Sequence, residues 1–110
     1  MGMPNQTTVQ QIMQAPNVLG FVHCSADGEV LIRAGNEVEA LATILGHFMR
    51  LARLVGGSFG LEDFHEARIQ GKPLSVLCMP YEGGAVGVVL DSRARVAEVA
   101  LTMRRIIDGE

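Results

Sequence analysis

Residues 36–55, NEVEALATILGHFMRLARLV, decide the fold. Asn36 can cap a helix and Glu39, three residues on, can bond back to it; Glu37 and Glu39 both suit the positive N-terminal end. Arg50 and Arg53 fall in the later turns and Gly56-Gly57 supplies a left-handed stop, so a helix is expected over 37–55. At about 100° per residue, Glu39, Thr43, His47, Arg50 and Arg53 share one arc of roughly 120°. The remaining arc, roughly 200° wide, is apolar, whereas a helix lying on one sheet needs little more than about 100°. Leu41, Leu45, Met49 and Ala52 can face the chain's own sheet. Ile44, Phe48, Leu51 and Val55 then need another cover, and a partner helix is the simplest candidate.

On the N-terminal side, Val9, Ile12 and Met13 keep helical spacing, Asn5 or Thr7 can cap, and Pro16 closes the segment, which predicts a short helix over 6–14. Two apolar runs follow, Val18 to Cys24 and Val30 to Ile32, with Asp27-Gly28 between them. That is a hairpin signal of the type I′ kind, which needs positive φ at both central residues. Both runs are apolar at successive positions, so the sheet is expected to be covered on both faces.

Beyond the long helix, residues 61–69 are charged and irregular (Glu62, Asp63, His65, Glu66, Arg68), as befits an edge strand. Gly71-Lys72-Pro73 turns the chain into a strand over 74–79, which Pro80 should end. Glu82-Gly83-Gly84 turns again into Ala85-Val86-Gly87-Val88-Val89-Leu90, a buried central strand. Asp91 or Ser92 can cap a last helix, in which Val96, Val99, Ala100, Met103, Ile106 and Ile107 keep the i, i+3, i+4, i+7 rhythm. The order is α-β-β-α-β-β-β-α. The fold class is α+β, a five-stranded, mostly antiparallel sheet with helices on both faces.

Composition sets the outer limits. With 110 residues, 48% hydrophobic and only 19% charged, the chain suits a single domain over 1–110 and is too apolar for disorder. Nine Lys and Arg against twelve Asp and Glu leave a net charge of −3, so a nucleic-acid partner is not expected. No apolar run approaches the ~20 residues that cross a bilayer, so membrane insertion is not expected. The polar start, Met1 to Gln11, has no basic residue, which argues against a secretory signal and makes the cytoplasm the expected compartment. Cys24 and Cys78 lie inside apolar runs without CxxC spacing and read as buried small hydrophobes.

Chemistry-bearing patterns are weak. Gly56-Gly57-Ser58-Phe59-Gly60 follows a helix instead of joining a strand to one, and Gly71-Lys72 runs into Pro73, so neither forms a phosphate loop. His23, Cys24, His47, His65 and Cys78 match no zinc spacing, and His23 and Cys24 alternate to opposite faces of a strand. No Ser sits in a Gly-x-Ser-x-Gly elbow, and Cys24, the one conceivable nucleophile beside His65, occupies a core position. Neither an enzyme nor a cofactor is expected. Arg93 and Arg95 read as part of the first turn of the last helix, where the dipole disfavours cations; an acidic patch on a partner protein would suit them.

Taken with Ala15-Pro16-Asn17-Val18-Leu19-Gly20-Phe21-Val22, the Asp27-Gly28 hairpin and the strand pair Leu74 to Leu77 and Gly87 to Leu90, the chain resembles the bacterial roadblock/LC7 domain over about 6–107. The layout is also profilin-like. The resemblance implies a homodimer joined edge to edge through the strand after the middle helix, with the two middle helices packed together. Ile44, Phe48, Leu51 and Val55 would lie at that interface. It further implies a module that binds and regulates a small Ras-like GTPase, a GTPase-activating cofactor without an active site of its own. The alternatives are a scaffold subunit of a larger complex and a small-molecule sensor domain.

Overall fold

The computed structural model describes residues 6–25, 27–47, 67–81 and 84–109. Helix α1 (Gln6–Met13) leads into β1 (Val18–Cys24) and β2 (Val30–Gly35). Helix α2 is described over 38–47. Strands β3 (Ala67–Gln70), β4 (Leu74–Tyr81) and β5 (Gly84–Asp91) and helix α3 (Val96–Asp108) complete the order. The five strands form one sheet, β2-β1-β5-β4-β3, and every neighbouring pair is antiparallel. The expected α+β architecture is therefore what the chain adopts.

The sheet separates two apolar layers. Phe21, Leu77, Val86, Val88 and Leu90 meet Ile12 of α1 and Val96, Val99 and Met103 of α3. Val22, Cys24, Cys78, Ala85 and Val89 meet Leu41, Ala42 and Leu45 of α2. The period-2 alternation of β5 sorts its residues between the layers, and the strand is buried throughout Gly84 to Leu90, as its unbroken apolar run predicted. Leu41 and Leu45 face the sheet as their helical spacing required; Met49 and Ala52 lie outside the described residues. Gly87 lets α2 come close, since a Cβ there would already stand 3.2 Å from Leu41 and 3.5 Å from Leu45.

Several local expectations change. The hairpin falls at Asp27-Gly28, but only Gly28 has positive φ (87°). The Gly28 N–H donates to the Ser25 carbonyl (3.0 Å) and the Ser25 N–H to the Glu29 carbonyl (2.8 Å). That is the pattern of a three-residue loop closed by a left-handed glycine, and it replaces type I′. Strand β2 runs on to Gly35 with alternating burial, because it is an edge strand with one covered face rather than two. Helix α2 begins at residue 38: Glu37 sits at φ 62°, outside helical space, so Asn36 is not its cap. Strand β4 does not end at Pro80 but continues to Tyr81, with Pro80 opposite Ala85. The described edge strand is Ala67–Gln70; residues 61–66 lie outside the described residues.

The two cysteines are free and buried. Cys24 lies opposite Ala85 and Cys78 opposite Gly87, on the two strands that flank β5. Two strand spacings, about 10 Å, exceed the Cα separation a disulfide spans. Burial, with a smaller contribution from nearby Cys24, pushes the Cys78 thiol from 9.0 up to about 12. An unfolded chain therefore ionises this thiol near pH 9 while the folded chain keeps it protonated. Below pH 9 the protonated thiol costs nothing; between about 9 and 12 rising pH favours the unfolded ensemble by up to ~1.4 kcal/mol per pH unit. Chemical denaturation at pH 8.5 and 10.5 (about 0.5 below and 1.5 above that unfolded value) should show a smaller alkaline loss for Cys78→Ala than for the parent chain. Equal losses would contradict the assignment.

Candidate functional site

Two surfaces stand out among the described residues. The first is the β3 edge. Strand β3 pairs with β4 on one side, and among the described residues no strand pairs with its outer side. Arg68, Ile69 and Gln70 are all exposed; Ile69, 48% exposed, stands opposite Val76, which packs partly against the α2 layer. An aliphatic side chain and a row of backbone donors and acceptors thus share one open border, the usual template for strand addition. Ile44 lies half-buried on α2. Phe48, Leu51 and Val55, expected beside it at a partner interface, lie outside the described residues.

The second surface is a cleft of about 380 Å³, lined by Ala15, Pro16 and Asn17 from the α1–β1 loop, Arg93 and Arg95 from the β5–α3 turn, and Glu98, Val99 and Thr102 of α3. The loop is tied to the turn by the Asp91 N–H, which donates to the Asn17 carbonyl (2.9 Å). Asn17 itself is left-handed, φ 67°, a conformation asparagine accepts better than most residues.

Arg93 and Arg95 are not in the first helical turn as expected: α3 begins at Val96, Arg95 is its N-cap residue, and Arg93 stands in the preceding turn. The Asp91 carboxylate, read as a helix cap, instead accepts from the Arg93 N–H (2.9 Å), Nε (3.2 Å) and Nη2 (3.3 Å). These bonds hold the Asp91 carboxyl below the usual carboxylate range and raise the Arg93 guanidinium. The dipole conflict is eased because α3 begins after both cations and the Arg95 side chain at the N-cap is 83% exposed to solvent. Arg95 is differently placed: its Nε is 3.7 Å from Glu98. No side chain caps α3. Sequence reading singled out the two arginines but missed Asn17 and Thr102, which only the folded chain brings beside them; the Pro16-Asn17 loop preceding β1 was the available signal.

The remaining candidates are separated. His23 is buried on the α1–α3 side, its ring edge-on to Tyr81 at 5.4 Å, while Cys24 points into the α2 layer. His47 is exposed, and His65 lies outside the described residues. Among the described residues no three His, Cys, Asp or Glu are grouped to hold a metal ion, and no helix is long and apolar enough to cross a membrane.

Residues 4–91 match the family described as Roadblock/LC7 domain. The match ends at Asp91, before α3, although the resemblance read from sequence continued to Ile107. No curated protein sequence matches the chain. Among solved structures, a Roadblock/LC7 domain from Streptomyces avermitilis superposes with a TM-score of 0.78 at 18% identity, covering 97% of this chain and 94% of that one. MglB from Myxococcus xanthus gives 0.77 at 15% identity, covering 93% and 87%. An MglB described with a tetrameric arrangement gives 0.74 at 14% identity, covering 99% and 90%. At these identities the likeness is one of fold.

Proposed function

Because the chain belongs to the Roadblock/LC7 domain family, we propose that it is a homodimeric interaction module that binds a small Ras-like GTPase and regulates its nucleotide cycle. The observation that carries the self-association is the open β3 edge with Ile69 exposed upon it. Two copies related by a twofold axis would join their sheets through this edge, each supplying the same strand to the other. The apolar stripe of the middle helix (Ile44, Phe48, Leu51 and Val55) would then meet its symmetry mate beside the joined strands. A structural neighbour with a tetrameric arrangement supports self-association as a habit of this fold.

The GTPase partner follows from the family resemblance. Regulation would act by positioning the GTPase's own water and phosphate groups, since GTP hydrolysis is accelerated largely by geometry and charge placement. The decisive experiment titrates this chain into a GTP-loaded small Ras-like GTPase from the same organism. It should give a stable complex and a changed hydrolysis rate. A complex with unchanged hydrolysis would reduce the role to scaffolding, and the absence of both would overturn the GTPase reading.

A further inference from the structure

We propose that the cleft between the α1–β1 loop and the start of α3 docks an acidic segment of a partner protein, with Arg95 as the group that reads its carboxylate. The two arginines of this cleft are prepared for different tasks. Arg93 is fixed: one carboxylate, that of Asp91, holds its Nε, Nη2 and backbone N–H. Arg95 is available, because its only ion pair among the described residues, with Glu98, is 3.7 Å long, beyond hydrogen-bond reach, and solvated on both sides. A guanidinium in that state can take a carboxylate in a bidentate, charge-assisted pair.

The rest of the lining suits a polypeptide. Ala15, Pro16 and the buried Val99 offer an apolar floor for an aliphatic neighbour of the carboxylate. Asn17 adds an amide able to bond a peptide backbone, while the Thr102 hydroxyl is occupied, donating to the Glu98 carbonyl (3.0 Å). A polyanionic nucleic acid is the weaker fit for a chain of net charge −3. Glu98 competes with any incoming acid, so the cleft would select a carboxylate that displaces it from Arg95. The cleft draws no residue from α2 or β3, so this inference stands apart from the proposed dimer interface.

The test is an amide-shift titration of the ¹⁵N-labelled chain with the acetylated, amidated peptide Glu-Leu-Asp-Glu-Leu, its Gln-Leu-Asn-Gln-Leu counterpart, and inorganic phosphate. Saturable shifts are expected at Asn17, Arg95, Val99 and Thr102 with the acidic peptide alone. Arg95→Glu should weaken binding about tenfold or more, as loss of a charge-assisted pair implies. Glu98→Gln should tighten it, and Arg105→Glu, at the far end of α3, should leave it unchanged. Shifts scattered over the surface, retained in Arg95→Glu, equal for the uncharged peptide, or reproduced by phosphate would each overturn the proposal.

Discussion

Gly20→Val is expected to destabilise this domain by about 3 kcal/mol or more, lowering its melting temperature by on the order of 10 °C. The reason is local. A Cβ at position 20 would point at the Asn36 carbonyl oxygen and stand 2.7 Å from Val38 Cγ1, where the chain leaves β2 and enters α2. The obstacle is backbone as much as side chain, so no rotamer change relieves it. That junction is already tied down, since the Asn36 N–H donates to the Leu19 carbonyl (2.8 Å) and Gly35 adopts φ 82°. Relief would therefore pull β1 from β2 or lift the start of α2 from the sheet, exposing Leu41 and Leu45. Thermal unfolding followed by circular dichroism checks this, with Gly109→Ala, whose Cβ would stand 3.2 Å from the Arg105 carbonyl oxygen, as a milder comparison. Equal stability of Gly20→Val and the parent would show that α2 is not seated on β1 as described.

Ile69→Glu is expected to separate the proposed dimer into single chains while leaving each one folded. Ile69 is 48% exposed within one chain, so its replacement removes little from the monomer's own core. In the dimer it would lie in a dry strand border, and a carboxylate there costs roughly 2 kcal/mol even after partial relief by water. Twofold symmetry introduces that cost twice, so the dissociation constant should rise about a thousandfold. Phe48→Glu, on the helical stripe inferred from sequence, should act in the same direction. Light scattering checks the mass, and circular dichroism confirms that the monomer remains folded. A dimer that survives Ile69→Glu at unchanged affinity would remove β3 from the interface.

The physics that makes these predictions is unevenly legible in the sequence. Strand β5 could be read directly, because Ala85 to Leu90 is apolar at every position and only a strand covered on both faces has such a run. Leu41 and Leu45 were equally clear, since helical spacing leaves them one face. Turn chemistry was not. Asp27-Gly28 marks the hairpin, but the bond from the Gly28 N–H to Ser25 decides its type. The start of α3 moved past Arg93 and Arg95 because Asp91 spends its carboxylate on Arg93 rather than on a helical N–H. Pro80 remains within a strand because β4 keeps its pairing with β5 past it, Pro80 opposite Ala85 and Tyr81 opposite Gly84, a tertiary fact absent from the local sequence. The cleft was least visible. Asn17, Arg95 and Thr102 are far apart in sequence, and no spacing rule connects a loop before the first strand to a helix near the chain's end.

Self-association is the premise on which the proposed role rests, and the mass of the chain in solution at micromolar concentration tests it most directly. Sedimentation equilibrium should return twice the 11.8 kDa of one chain for the parent protein. A stable mass of 11.8 kDa, with Ile69 as open to solvent as it is in the single chain, would contradict it.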